Sequence, residues 1–374
     1  MICEKLFKVR DLVSLSCCSK RLNFICRDVN YVNDVYHIYL RSKIEKALSF
    51  NKNIRLNLDL SWDKNITNFE NLEKVYGLDL SNCENIVDVS KLNIVHTLNL
   101  SYCYNITDAS KLGNVHTLNL SGCTNVTDVS MLGNVHTLDL SYCRYISDVS
   151  KLDNVHTLYL IGCRKITDVS RLGNTNTLNL SYLCDIKDVS NLGNVHTLNL
   201  YGCRNITDVS KLNRVHTLNL SHCVGITDVS MLGNVHTLIL KKCKRVKDVS
   251  MLGNVHTLNL RSCNMVTDVS KLNRVHTLNL SYCRYITDVS MLGNVHNLDL
   301  SWCLDITDVS MLGNVHTLNL AYCENITDVS MLVNVHTLDL AYCSKLRDVS
   351  MLVKNVSKLG NVHTLNLTGC TSYF

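Results

Sequence analysis

The sequence predicts an α/β solenoid, a stack of short parallel strands forming the concave inner sheet of an arc, and three observations lead to it. One phrase recurs with a period of 20 residues through fifteen consecutive copies over residues 55–354, and a truncated sixteenth copy follows a seven-residue insertion at 355–361. Fixed self-similarity at such a period marks a repeat architecture. Apolar residues fall at positions 1, 4, 6, 9, 12, 15 and 18 of each copy, as in Val95, Leu98, Leu100, Cys103, Ile106, Ala109 and Leu112. No single unit can bury these side chains; each needs a neighbour above and below.

Residues 1–45 lie outside the repeat and read as two or three short helices. Asp11 is placed to cap a helix from Leu12, whose inner stripe is Leu12, Leu15 and Cys18 or Ser19, and a second stripe runs Leu22, Phe24, Ile25. So small an element cannot hold a core by itself and must dock on something. Residues 46–54 link it to the repeats. The tract 31–50 is expected to be helical and to cover the open end of the first repeat, with Tyr36, Ile38, Tyr39, Ile44 and Leu48 available for packing.

Within a repeat, Leu98 and Leu100 alternate with Thr97, Asn99 and Ser101, the period-two pattern of a strand buried on one face. The later apolar spacing of three suits a tight helical or 3₁₀ return. Stacking at roughly 1.5–3 kcal/mol per buried side chain is the main stabilising term. The insertion repeats the Val-Ser-Lys-Leu-Gly-Asn theme, so it reads as an imperfect duplication that forms an outward bulge or a helical turn.

Composition narrows the class. The formal charge of +5 is too small to imply nucleic acid by itself. No stretch approaches the length of a transmembrane helix, and the first ten residues lack the apolar core of a signal peptide. Most of the 19 cysteines stand at position 9, from Cys83 to Cys343, with one slipped to Cys184. They read as buried free thiols rather than disulfides or zinc ligands, because no Cys-x-x-Cys pair occurs. That column fits a reducing cytosol or nucleus. The absence of proline and the abundance of Asn, Lys, Ile and Tyr are what an AT-rich genome encodes.

Two polar columns invite a chemical reading. Asp stands at position 14 in fourteen copies, from Asp88 to Asp348. It is expected to accept backbone N–H groups at the start of the outer turn, as a helix cap does, rather than to form a calcium column, which needs several converging oxygens. His stands at position 2 in thirteen copies, from His96 to His363. A solvated column at the strand edge is expected there, because no carboxylate of the same copy lies near enough to build a relay. No phosphate loop or nucleophile elbow occurs, and no cofactor or metal is implied. Repetition argues against catalysis, since an active site needs unlike residues converging at one place.

Binding is therefore expected where copies differ, at positions 7, 8, 10 and 11 along and after the strand. Departures cluster at Tyr159, Ile161, Arg164 and Lys165, then at Tyr201 and Arg204. They continue at Ile239, Lys241, Lys242, Lys244, Arg245 and Lys247, and at Arg261. A basic patch with apolar and Tyr elements suits an acidic or phosphorylated protein segment; its alternative is a solvated surface. Trp62, Tyr102, Tyr142, Tyr182, Tyr282, Trp302, Tyr322 and Tyr342 form a column at position 8 that either anchors a partner or shields the strand ends.

These motifs carry a resemblance. The unit resembles a leucine-rich repeat, in a shortened form of the cysteine-containing kind in which Cys-x-x-Ile-Thr-Asp recurs. The run Leu6-Phe7, Arg10 to Leu15, Cys18-Ser19-Lys20-Arg21-Leu22 and Ile25-Cys26 resembles the second half of an F-box, without that family's Leu-Pro opening. Chains that join the two in so uniform and AT-rich a form look like those of large DNA viruses of amoebae. The resemblance implies the substrate-recognition subunit of a cullin-RING ubiquitin ligase. Leu6, Phe7, Leu12, Leu15, Cys18, Leu22 and Ile25 would hold a Skp-type adaptor, and the repeats would hold the target. A plain protein-interaction solenoid is the alternative, and nucleic-acid binding through the basic patch is a third.

Overall fold

The computed structural model describes residues 55–64, 66, 69, 75–347, 359 and 362–370, together with the backbone of residues 35–38. The chain divides into two compact units, Met1–Ile166 and Thr167–Phe374.

The first unit carries strands β1 (Val35–Ile38), β2 (Arg55–Asp59), β3 (Val75–Asp79), β4 (Thr97–Asn99), β5 (Thr117–Asn119), β6 (Thr137–Asp139) and β7 (Thr157–Tyr159). Each pairs in parallel with the next. The second unit continues the pattern with β8 (Thr177–Asn179), β9 (Thr197–Asn199), β10 (Thr217–Asn219), β11 (Thr237–Ile239), β12 (Thr257–Asn259) and β13 (Thr277–Asn279). Strands β14 (Asn297–Asp299), β15 (Thr317–Asn319), β16 (Thr337–Asp339) and β17 (Thr364–Asn366) complete it, again all parallel.

Three-residue strands suffice because the hydrogen-bond ladder runs well past them. In the first unit the Leu100 N–H donates to Asn119 O at 2.8 Å and the Tyr102 N–H to Ser121 O at 2.8 Å. At the other end of the strand, the His116 and Thr117 N–H groups share His96 O. Each coil is thereby tied to the next from position 2 to position 8.

The return is 3₁₀, as the spacing of three predicts. Bonds of the i→i−3 type close at the buried positions themselves: Cys103 N–H to Leu100 O, Ile106 N–H to Cys103 O, and Leu112 N–H to Ala109 O, the last at 3.0 Å. Three residues per turn bring every third side chain to the same side, which is why the apolar pattern and the 3₁₀ ladder coincide. Segments such as Ser110–Asn114 and Ser230–Asn234 are 3₁₀ turns, and the helical elements among the described residues are all of this type. The predicted core is the observed one in the inner copies, whereas Leu60, Val362, Leu365 and Leu367 in the first and last copies are half-exposed. Positions 1, 4, 6, 9, 12, 15 and 18 are buried in copy after copy; Leu98, Leu100, Cys103 and Ile106 are each at most 1% exposed.

One expectation is corrected. The tract 31–50 contains a strand, β1, that pairs in register with β2, Tyr36 opposite Leu56 and Ile38 opposite Leu58. The open edge of the first repeat is covered as expected, but by a strand. The physical reason is that β2 offers unpaired N–H and C=O groups, which another extended backbone can satisfy and a helix, already bonded within itself, cannot.

The insertion leaves the sheet register intact. Thr337, Leu338 and Asp339 face Thr364, Leu365 and Asn366, so the seven extra residues are absorbed outside the strand. Leu359 is buried and accepts the Val362 N–H at 2.9 Å, the role Leu92 plays for Val95. The other insertion residues, and with them the choice between bulge and turn, lie outside the described residues.

Candidate functional site

The strand exit is shaped by position 5. Asn99 Oδ1 accepts the Ser101 N–H at 3.0 Å, and Asn219 Oδ1 accepts that of Ser221 at 2.9 Å. Asp139 and Asp299 serve Ser141 and Ser301 in the same way. The chain then enters the left-handed region at position 8. Glycine stands there at Gly122, Gly162, Gly202 and Gly369, but the twelve other copies place a side chain at φ between 59° and 64°, among them Tyr182, His222, Lys242, Tyr282, Trp302 and Tyr322. A left-handed L-residue costs roughly 1–2 kcal/mol, and residues held this way cluster at functional sites. The sequence shows the variation at position 8 but not the backbone constraint; its trace is the recurrence of Gly122, Gly162, Gly202 and Gly369.

Tyr159 and Ile239 break the position-5 rule, since Ile has no acceptor and the Tyr hydroxyl lies at the far end of its ring, out of reach of the N–H two residues on. Each replaces that acceptor with aromatic or apolar surface on the exposed side of its strand. Position 7 departs in a related way. Serines there are largely buried, Ser221 at 2% and Ser281 at 0% exposure, whereas Ile161, Tyr201, Lys241 and Arg261 are half-exposed.

The predicted patch is divided between the two units. Tyr159, Ile161 and the exposed Arg164 belong to the first, where the Lys165 Nζ sits 4.8 Å over the Tyr145 ring. The remaining nine, Tyr201 to Arg261, belong to the second. There Tyr201 meets Tyr182 edge-on at 5.1 Å and His222 at 4.9 Å, and Arg261 lies 4.6 Å over the Tyr282 ring. His222, which sequence reasoning had not singled out, lies at the centre of this group. Burial first, then the charges of Lys242, Lys241, Arg204 and Lys244, pushes its pKa down. Among the described residues none of these four cations is paired with a carboxylate; the ion pair that occurs is Lys64 with Glu84, in the first unit. Lys242, Lys244, Arg245 and Arg204 are exposed, so the cluster is open to a ligand from solvent.

The repetitive columns are accounted for by structure. Cys103 donates its Sγ–H to Leu80 O at 3.1 Å, and Cys223 to Leu200 O at 3.1 Å. The thiol is therefore more than the small hydrophobe expected, because it satisfies a carbonyl of the neighbouring coil. Leu183 takes the buried ninth position where the cysteine slips, and Cys184 is half-exposed. Asp108 Oδ1 accepts the Ser110 N–H at 2.8 Å, forming an Asx turn one place ahead of the capping position expected for it. Grooves of about 230 and 210 Å³ on the outer turns are lined in part by Asp308, Asp328 and Met331 and by Asp268, Asp288 and Met291. Asp308 and Asp268 already accept the Ser310 and Ser270 N–H groups. Among the described residues no group of three or more His, Cys, Asp or Glu is arranged to hold a metal ion.

The histidines stack. In the first unit His96, His116, His136 and His156 lie 4.5–4.6 Å apart, centroid to centroid. In the second unit the stack runs from His196 to His363, for example 4.7 Å between His256 and His276. Desolvation first, and then the rings on either side, pushes the pKa of His216 and His276 down. The ordinary value is about 6.5, so below it the unfolded chain binds protons the folded chain resists. Stability present above that pH is lost as pH falls through the folded pKa. Carboxylates such as Asp108 and Asp228 are held low by the Ser N–H bond, and lose their contribution only as pH falls below about 3.9. The melting temperature is therefore expected to drop between pH 7 and 5 and again between pH 4 and 2. A flat profile in either window would remove that column from the account.

The adaptor-binding candidates Leu6, Phe7, Leu12, Leu15, Cys18, Leu22 and Ile25 lie outside the described residues. No described helix is long and apolar enough to cross a membrane.

Short parallel strands, a 3₁₀ return and one buried ladder per coil define a leucine-rich-repeat solenoid. A leucine-rich-repeat protein of Leptospira interrogans has the same fold, with a TM-score of 0.64 at 19% identity, over 87% of this chain and 93% of that one. The functional domain of InlJ from Listeria monocytogenes, which includes a cysteine ladder, matches at 20% identity over 87% of this chain and 72% of that one, with a TM-score of 0.49. An internalin of the same organism matches at 20% identity over 79% and 82%, with a TM-score of 0.45. No family model and no curated protein matches the sequence.

Proposed function

We propose that this chain is a non-enzymatic protein-interaction scaffold that holds a partner by an acidic or phosphorylated segment at the cationic cluster of the second unit. The observation that carries the reading is the set Arg204, Lys241, Lys242 and Lys244 around His222, with no described carboxylate paired to any of the four. A hydrogen bond to a charged group contributes about 1.5–3 kcal/mol, so removing two such donors weakens binding by tenfold or more. Fluorescence anisotropy of labelled hexaglutamate and phosphoserine peptides with the full chain tests this. Both are expected to bind, and Lys241→Ser with Lys242→Ser to lose at least tenfold. Equal binding of a neutral peptide, or indifference to the double substitution, sinks the reading.

A finer version makes the scaffold the substrate-recognition subunit of a cullin-RING ubiquitin ligase, acting inside the cell. Its support is the F-box-like pattern of residues 1–45 and, for the intracellular placement, the column of free thiols. Capture of a Skp-type adaptor by the full chain, lost on Leu12→Asp with Leu15→Asp, is the expected result. Failure of capture removes the ligase and leaves the scaffold.

A further inference from the structure

We infer that the partner is an extended polypeptide segment of about nine residues lying along the position-8 ledge of the second unit, acidic where it meets His222, Lys242 and Arg261 and apolar where it meets Tyr282, Trp302, Tyr322 and Tyr342. The inference rests on the cationic site proposed above and extends it along the solenoid. Seven consecutive copies place a side chain, never glycine, in the left-handed region from His222 to Tyr342. Glycine would adopt that backbone without strain, so the ledge is built against the local conformational preference.

From Arg261 to Tyr342 the ledge is continuous. Arg261 packs on the outer face of Tyr282 at 4.6 Å. Tyr282 then stacks on Trp302 at 5.2 Å, Trp302 on Tyr322 at 4.1 Å, and Tyr322 on Tyr342 at 4.6 Å, with planes within 14°. The column ends at Gly369, where a Cβ would run into the Tyr342 ring. Six strand steps of ~4.8 Å make a ledge of about 29 Å, the reach of about nine extended residues at ~3.3 Å each.

Charge sets the partner's polarity. The half around His222 is cationic. The aromatic half has Asp305 and Glu324 exposed beside it, with Asp299 and Asp339 half-buried on the adjoining strands, against two exposed cations, Arg284 and Lys345; carboxylates therefore outnumber cations there, which disfavours an acidic segment. The ring faces are covered by one another, by Arg261 at one end and by Gly369 at the other, leaving the edges exposed. Stacked bases need free faces, so a single-stranded nucleic acid is the poorer occupant. Aromatic edges carry partial positive charge and accommodate peptide carbonyls and apolar side chains.

Panning a random nonapeptide phage library against the full chain tests the inference. Enriched peptides are expected to carry an acidic block in one half and apolar residues in the other. The synthesised consensus is expected to lose at least tenfold in affinity to each of Lys242→Gly and Tyr322→Gly, while its acidic half alone binds at least tenfold more weakly. Both substitutions place glycine where φ is positive, so folding is not at stake, and circular dichroism checks it. Peptides acidic throughout and indifferent to Tyr322→Gly overturn the ledge while the cationic site stands. No enrichment of acidic peptides overturns both. Tighter binding of a nine-nucleotide single-stranded DNA than of the consensus overturns the choice of a peptide.

Discussion

Raising the pH from neutrality toward 12 is expected to unfold the repeats cooperatively. Burial pushes the thiols of Cys103, Cys123 and Cys163 in the first unit up to about 12, and those of Cys223, Cys263 and Cys323 in the second likewise. Neighbouring sulfurs add to the effect, as Cys103 does for Cys123. A folded pKa above the unfolded one means stability that is fully present below about pH 8.5 and lost as pH rises through the folded value. Each retained proton costs about 1.4 kcal/mol per pH unit. Three such thiols in one unit, joined by the others of the column, therefore remove the roughly 5–15 kcal/mol of a folded domain within a few pH units. Far-UV circular dichroism against pH, with thiolate absorbance followed in parallel, should show structure and thiol protons lost together. Replacing Cys243, Cys263 and Cys283 with Ala should move the midpoint upward. Thiols that ionise with the fold intact, or a midpoint indifferent to the triple substitution, would refute this account of the column.

Leu260→Ala is expected to cost about 2–5 kcal/mol and to act locally first. Leu260 is 0% exposed. Its N–H donates to Asn279 O, and its carbonyl accepts both the Cys263 N–H at 2.9 Å and the Cys283 thiol at 3.2 Å. A cavity at this site loosens a strand, its turn and the neighbouring thiol together. Because each coil contacts only its neighbours, hydrogen exchange should accelerate first at amides near 240–280 and only later toward 340. Uniform acceleration across the second unit would show that its stability is shared more widely than nearest-neighbour stacking allows.

The solenoid was legible because its information is one-dimensional. The 20-residue period, the Leu98–Leu100 alternation and the spacing of three each map directly onto a strand or a 3₁₀ turn, and the buried set follows through the inner copies. Leu60 in the first copy and Val362, Leu365 and Leu367 in the last are half-exposed because a neighbouring coil is missing or incomplete on one side. At Val35–Ile38 a strand stands where a helix is expected, because the apolar residues there suit either and the open edge of β2 decides between them. The candidate site was legible only as variation. Lys241, Lys242 and Arg261 stood out because they broke a pattern, whereas His222 did not, since its importance lies in which cations of neighbouring coils surround it.

The sequence by itself therefore determined the coil: its period, its buried columns, its turns and the positions free to differ. Only the tertiary structure decided that position 8 is left-handed, that its aromatic rings stack face to face from Tyr282 to Tyr342, and that the residues of the predicted patch fall in two separate units. The physical reason is that a coil's own shape follows from spacing along the chain. Ring stacking, shared charge and backbone strain instead arise from residues about 20 apart, which meet only when the coils are stacked.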